Sequence, residues 1–342
     1  MHTILVTGGA GFIGSNFVRI LLDAQPESRV VNLDKLTYAG HRDTIRDLDD
    51  HPRHLFAQGD IANPDFVKQI MQEQGIDQIV NFAAESHVDR SIEGPSVFIQ
   101  TNIVGTQVLL EAAQSAGVER FVQISTDEVY GELGTTGQFS EDSPLAPSSP
   151  YSASKTSADL LTLAWHRTYG LPVCITRCSN NYGPYQFPEK LIPVMVTKAR
   201  ADEPLPVYGD GSNIRDWIHV EDHCRAVLRV LEDGESGRVY NIGADCERSN
   251  LELVETLLDV LGKPHSLISF VPDRPGHDYR YAVDPAAAEN LGWERKWTFE
   301  EGLAETCKWY VENEDWWRKI KRGEHFQSHE SSWYANREAG GV

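Results

Sequence analysis

The sequence predicts an α/β protein built on a doubly wound parallel sheet, with a smaller C-terminal lobe for binding substrate. Three observations carry that prediction. Short β-branched runs alternate with amphipathic stretches through the first half of the chain, the pattern of repeated βα units. A glycine cluster, Gly8-Gly9-Ala10-Gly11-Phe12-Ile13-Gly14, joins the first run to the first helix. The polar string Ser125-Thr126-Asp127-Glu128-Val129-Tyr130-Gly131 directly follows the apolar run Arg120-Phe121-Val122-Gln123-Ile124. A hydroxyl and two carboxylates therefore stand at the C-terminal end of a buried strand, the edge at which such sheets bind ligands.

In chain order, Thr3-Ile4-Leu5-Val6-Thr7 is the first strand, and a helix with Phe17, Ile20, Leu21 and Leu22 on its apolar face follows the glycines. Glycines 9, 11 and 14 match the tighter dinucleotide fingerprint, and glycines 8, 11 and 14 the wider one. Both work by the same physics: absent Cβ atoms let the backbone approach a pyrophosphate, and the helix N-terminus offers free N–H groups to the anion. The second strand, Arg29-Val30-Val31-Asn32-Leu33, ends at Asp34, twenty residues past Gly14 (34 − 14). A carboxylate there bonds the adenosine ribose and repels a 2′-phosphate, so NAD is expected over NADP, with Lys35 alongside as the one opposing charge.

A third strand at His54 to Gln58 leads to Gly59-Asp60-Ile61, where Asp60 either holds the adenine or caps the next helix, around Phe66 to Gln72. The fourth strand, Gln78-Ile79-Val80-Asn81-Phe82, opens into Ala83-Ala84-Glu85-Ser86-His87, small enough for a cofactor to lie close. A long helix is expected from about Pro95 to Ala116, leading into the strand before Thr126. After a connection containing Pro144, Pro147 and Pro150, Tyr151-Ser152-Ala153-Ser154-Lys155 starts a helix running to about Tyr169. Tyr151 and Lys155, four apart, share a helix face, where an ammonium would lower the phenol's pKa and make it a usable base.

Composition narrows the class. The chain has 342 residues and a formal net charge of −20, which excludes a general nucleic-acid surface, since phosphate contacts need clustered Lys and Arg. It has no apolar run long enough to span a bilayer, and its N-terminus enters a strand with no leader pattern, so a cytoplasmic protein without membrane contact is expected. The five cysteines, Cys174, Cys178, Cys224, Cys246 and Cys307, lack paired metal-site spacing. They read as reduced thiols, and no metal is expected.

Together the glycine loop, Thr126 and the Tyr151/Lys155 pair resemble the extended short-chain dehydrogenase/reductase family, whose dinucleotide-binding fold is of the Rossmann type. Thr126 to Gly131, with its Asp127-Glu128 pair, is similar to the nucleotide-sugar 4,6-dehydratases within that family. So are Arg177-Cys178-Ser179-Asn180-Asn181-Tyr182-Gly183-Pro184, Gly209-Asp210-Gly211 through Arg215-Asp216-Trp217, and Asp273-Arg274-Pro275-Gly276-His277-Asp278, so the likeness covers about residues 1 to 325. The resemblance implies that Gly8, Gly11, Phe12, Ile13, Gly14, Asp34, Lys35, Leu36, Thr37, Asp60, Ile61, Ala83, Ala84, Ser86, Thr101, Tyr151, Lys155 and Asn181 face NAD. Substrate would meet His87, Thr126, Asn180, Lys190, Leu191, Pro206, Tyr208, Arg215, Asn250, Arg274 and His277. The two arginines suit a diphosphate, because guanidinium forks pair with phosphate oxygens.

The implied activity is dehydration of a nucleotide-activated glucose, the thymidine diphosphate form expected first and the uridine form, or a 4-epimerase or decarboxylase, as alternatives. Tyr151, Lys155 and Thr126 would serve oxidation at C4, Glu128 would remove the C5 proton, and Asp127, kept protonated, would donate to the leaving C6 hydroxyl. Residues 1–180 are expected to form the NAD-binding domain and 181–327 mainly the substrate lobe, with some segments returning to the first domain; 328–342 are a tail. The apolar helices 95–116 and 151–169, with Leu160, Leu161, Leu163 and Trp165, suggest a homodimer.

Overall fold

The computed structural model describes residues 2–273, 278–323 and Phe326. Runs of Val, Ile and Leu form the strands β1 (Thr3–Thr7), β2 (Arg29–Asp34), β3 (His54–Gln58), β4 (Gln78–Asn81), β5 (Arg120–Thr126) and β6 (Val173–Cys178). Later in the chain lie β7 (Asn180–Tyr182), β8 (Leu205–Tyr208), β9 (Ile214–His219) and β10 (Arg238–Ile242). Seven of them form one parallel sheet in the order β10-β6-β5-β4-β1-β2-β3. The winding direction reverses between β1 and β4, paired as Thr7 with Asn81, and such a reversal opens a crevice beyond the strand ends.

Both sheet faces are covered, which is why the central strands carry apolar residues on both sides. Helices Phe12–Ala24 and Val220–Asp233 cover one face, with Phe17, Val18, Cys224 and Val227 fully buried. Helices Pro64–Gln74, Thr106–Ala116 and Pro150–Tyr169 cover the other, around Val67, Leu109 and Phe121. The chain leaves this layer at β7, yet helix Val220–Asp233 and β10 bring it back. A second core, around Met195, Leu257, Leu303 and Tyr310, supports β7, β8, β9 and the strands β11 (Glu247–Ser249) and β12 (Ile268–Val271).

Two local departures from the expected elements bear on the site. The helix of 95–116 is interrupted: α-helical turns at Pro95–Phe98 and Thr106–Ala116 flank a wider π-helical segment, Ile99–Gly105. Such widened turns reorient side chains and are frequent at functional sites. Strand β5 extends through Thr126, and Asp127–Tyr130 form a 3-10 turn capped by the Thr126 hydroxyl, which accepts from Glu128 N at 3.3 Å.

Candidate active site

The glycine loop is set by contacts that leave no room for a side chain. Gly8 has φ +68°, and a Cβ there would sit 2.7 Å from Ala83 N; a Cβ on Gly14 would press into the Gly8 carbonyl. Of the two glycine patterns, the wider one faces the cleft: Gly8, Gly11 and Gly14 line it and Gly9 does not. Helix Phe12–Ala24 begins at Gly11 with no side-chain cap and no acidic residue in its first turn, so its first amides remain open to an anion. This cradle fits the pyrophosphate of a dinucleotide.

Asp34, buried at the end of β2, accepts from Ala10 N at 2.9 Å and from Leu36 N at 2.8 Å. Burial raises its pKa and the two amide bonds oppose that rise. It thus also ties the glycine loop to the loop after β2. Lys35 pairs with Asp60 at 2.7 Å, while the following helix is capped instead by Asn63, which accepts from Phe66 N at 3.2 Å. Asp60 is therefore free of the capping duty and lines the cleft. Leu36, at φ +58°, turns its side chain onto the core beneath, so it does not line the cleft with the other expected cofactor residues.

Two adjoining cavities, each about 310 Å³, open beyond the strand ends, a size suited to small-molecule sites. The first collects every other expected cofactor residue, from Gly8 through Thr37, Asp60, Ile61, Ala83, Ala84, Ser86 and Thr101 to Asn181, together with Thr126, Asp127, Tyr151 and Lys155. The second collects His87, Leu191, Pro206, Tyr208, Arg215 and Asn250. Glu128, Asn180 and Lys190 line both. Arg274 and His277 lie outside the described residues.

The reacting end is where β5, the 3-10 turn and helix Pro150–Tyr169 meet. A capping box between Ser149 and Ser152 (Ser152 N to Ser149 Oγ 3.0 Å, Ser149 N to Ser152 Oγ 2.9 Å) fixes where that helix starts and so places Tyr151 in its first turn. Lys155, 4% exposed, donates to Ile124 O at 2.6 Å. Thr126 Oγ1 donates to Asp127 Oδ1 at 3.2 Å. Burial first, then the neighbouring Glu128 and Asp216 charges, push the Asp127 carboxyl up to about 8, so it holds its proton at neutral pH.

Tyr151 departs from expectation. Burial, then Glu128 and Cys178, raise its phenol well above the usual value, against a hydrogen bond with Thr126. Burial lowers Lys155, with Asp159 opposing, and its ammonium donates to the Ile124 carbonyl.

Several lining residues escaped the sequence reading, Tyr38, Glu85, Gln186, Glu189 and Lys321, as did Asn102, which supports the lining from behind. Asn102, on the π-helical segment, accepts from Glu85 N at 2.9 Å and donates to Glu85 O at 3.0 Å and to Ser154 Oγ at 2.8 Å, tying the loop after β4 to the Tyr151 helix. Glu189 takes Arg90 at 3.0 Å and stands 3.7 Å from His87. Gln186 and Glu189 closely follow Tyr182-Gly183-Pro184, and that proximity was the one signal that could have flagged them. Arg215 donates to Asp278 O at 2.8 Å and Ile214 O at 2.7 Å, leaving its guanidinium fixed at the wall of the second cavity. Among the described residues no three His, Cys, Asp or Glu side chains cluster as a metal site, and no helix is long and apolar enough to cross a membrane.

Comparison with known proteins gives a consistent picture. Residues 5–306 match the model of a family described as GDP-mannose 4,6 dehydratase. A dTDP-glucose 4,6-dehydratase of Xanthomonas campestris pv. campestris is 53% identical over 343 residues, covering 94% of this chain and 97% of its own. DesIV, a dTDP-glucose 4,6-dehydratase from Streptomyces venezuelae crystallised with NAD and dTDP, superposes with a TM-score of 0.90 at 52% identity, covering 93% of this chain and all of that one. The corresponding enzyme from Bacillus anthracis, in complex with NAD, gives 0.88 at 50% identity over 94% of this chain and 100% of its own.

Proposed function

The chain belongs to the nucleotide-sugar 4,6-dehydratase family, and we propose that it converts dTDP-glucose to dTDP-4-keto-6-deoxyglucose and water as an NAD-dependent hydro-lyase. The observation that carries this reading is the pair Asp127 and Glu128: a buried carboxyl that keeps its proton stands next to a carboxyl shared by both cavities. Adjacent groups in unlike environments divide into one acid and one base.

The C5 proton of glucose becomes acidic only once C4 is a ketone. Gly8, Gly11, Gly14 and Asp34 would hold NAD, which would supply a reversible hydride acceptor and a positive charge that favours the Tyr151 phenolate. Tyr151, as phenolate, takes the 4-hydroxyl proton, and Lys155, held at Ile124 O, adds a second positive charge that favours that form. The Thr126 hydroxyl bonds the new C4 oxygen and stabilises the enolate that forms next. Glu128 removes the C5 proton, and Asp127 donates its proton to the departing C6 hydroxyl. Arg215, with Lys190, holds the diphosphate, and Pro206 and Tyr208 face the base.

Residues 1–180 with 220–242 act as the cofactor domain and most of 181–327 as the substrate lobe. The protein works in the cytoplasm, a reading supported by its five free thiols. It pairs with a second copy through the exposed apolar residues Ile92, Val97, Ile99 and Leu160 on the packed helices of 88–105 and Pro150–Tyr169, each between 45% and 59% exposed. Of the apolar helix residues expected at that face, Leu161 and Trp165 pack into the core instead. A monomeric mass at micromolar concentration would refute the pairing. The function is tested by incubation with dTDP-glucose and UDP-glucose in parallel: the dTDP sugar should lose one water, and an unchanged mass for it overturns the reading.

A further inference from the structure

Behind the reacting groups lies a buried polar seam that the chemistry above does not use. Arg177, on β6 and 2% exposed, donates from Nε to Asp159 Oδ2 at 2.9 Å and from Nη1 to the Tyr130 hydroxyl at 2.9 Å. Asp159 lies on helix Pro150–Tyr169, four residues beyond Lys155 and eight beyond Tyr151. Tyr130 closes the 3-10 turn that carries Asp127 and Glu128, and donates onward to Asn241 Oδ1 on β10 at 2.7 Å. Asn241 is held in turn, its Nδ2 donating to Phe139 O at 3.0 Å and its backbone N to Glu141 Oε1 at 2.9 Å.

One guanidinium thus grips the two elements that carry the two halves of the reaction. A buried ion pair of this kind adds little net stability, because desolvation offsets its attraction. What a planar fork adds is direction: its N–H groups point along fixed lines, as an ammonium's do not. The sugar is oxidised at C4 by groups on the helix and at the end of β5, then loses its proton and hydroxyl to groups on the turn, without leaving the site. A shift of the turn against the helix would therefore spoil one step while sparing the other.

We propose that Arg177 is a positioning residue that locks the Asp127–Tyr130 turn to the Tyr151 helix, so that a single sugar pose serves both oxidation and elimination. The inference rests on the roles proposed above for Tyr151, Asp127 and Glu128.

The test separates the two links. In the NAD-loaded enzyme, Tyr130→Phe removes the tie to the turn and keeps the Arg177–Asp159 pair; Asp159→Asn weakens the tie to the helix. Rapid mixing with dTDP-glucose follows oxidation by the absorbance of reduced nicotinamide, and product mass follows loss of water. Tyr130→Phe should oxidise C4 at nearly the unaltered rate and eliminate roughly ten- to a hundred-fold more slowly, the scale of a sub-ångström to ångström misplacement, so reduced nicotinamide builds up. Asp159→Asn should show the reverse, with slowed oxidation and no build-up. Thermal melting of each loaded variant reports folding; if Tyr130→Phe does not fold, Asp159→Asn decides alone. Equal slowing of both steps in the folded variants, or no change in their balance, overturns the inference. Failure of the unaltered protein to dehydrate the sugar is a separate result and overturns the functional reading instead.

Discussion

The cofactor cleft and the substrate cleft share seven residues, Glu128, Asn180 and Lys190 among them, but they are built differently. The first is shaped by backbone: glycines at positions where a Cβ would collide, open amides at a helix start, and residues following consecutive strand ends. The second is shaped by side chains converging from distant segments, His87 after β4, Leu191 after β7, Arg215 on β9, Asn250 and Lys321. A backbone site depends on a few local spacings. A side-chain site depends on the tertiary fold, and it is there that the chemistry of one family member can diverge from another.

The boundary between the clefts should give the largest effect. Glu128→Gln leaves Tyr151, Lys155 and Thr126 in place, so C4 oxidation continues while water loss falls by about a hundred- to ten-thousand-fold, the usual cost of a positioned base. Reduced nicotinamide then accumulates on the enzyme; water loss at the unaltered rate would remove Glu128 from the base role.

Asp127 should come next, through pH. Its carboxyl, pushed up to about 8 by burial and by Glu128, is the acid only while protonated, so elimination should be sustained below pH 8 and fall above it. Asp127→Asn should abolish that alkaline limb and be milder with a 6-fluoro substrate, whose leaving group needs little protonation; Glu128→Gln should gain much less from it. Equal rescue of both variants would contradict the division of labour. The same shift has a stability sign: between the ordinary aspartate value and about 8 the folded chain keeps a proton the unfolded chain has lost, so this group lowers stability as pH rises across that window. Denaturant midpoints of Asp127→Asn against the unaltered protein measure that slope.

A smaller, one-sided effect is expected on the backbone side. Gly8→Ala forces a side chain at φ +68° against Ala83, at a cost of about 1–3 kcal/mol. Cofactor titration should show that loss in NAD affinity, with dTDP binding in the second cleft nearly unchanged; equal loss of both would dissolve the distinction between the clefts. The smallest effect should be at Asp34. Asp34→Ala relaxes exclusion of a 2′-phosphate, but it also frees Ala10 N and Leu36 N, so NAD affinity falls while NADP affinity rises. An unchanged preference would relieve Asp34 of that role.

Legibility followed the same division. The parallel sheet, the glycine loop, Asp34 and the Tyr151/Lys155 spacing were readable because each is a local periodicity or a fixed interval. The inward turn of the Leu36 side chain, set by a left-handed backbone, is something no spacing reveals. Gly8 over Gly9 was decided by contact with Ala83, a residue seventy-five positions on (83 − 8). The expected acidifying effect of Lys155 on Tyr151 missed burial, which dominates both groups and depends on everything packed around them. Lys321 reaches the site only through a returning C-terminal helix, and Asn102 braces it from behind on a widened helix turn, so no motif marks them.

The central claim is that one sugar, in one pose, is oxidised at C4 and receives the same hydride back at C6. The most direct measurement uses dTDP-glucose deuterated at C4, followed by mass and NMR of the product. The account predicts a 4-keto-6-deoxy sugar with the deuterium on C6 and no net reduction of the nicotinamide pool. Deuterium returned to C4 with inverted configuration, lost to solvent, or held in released reduced nicotinamide would contradict it.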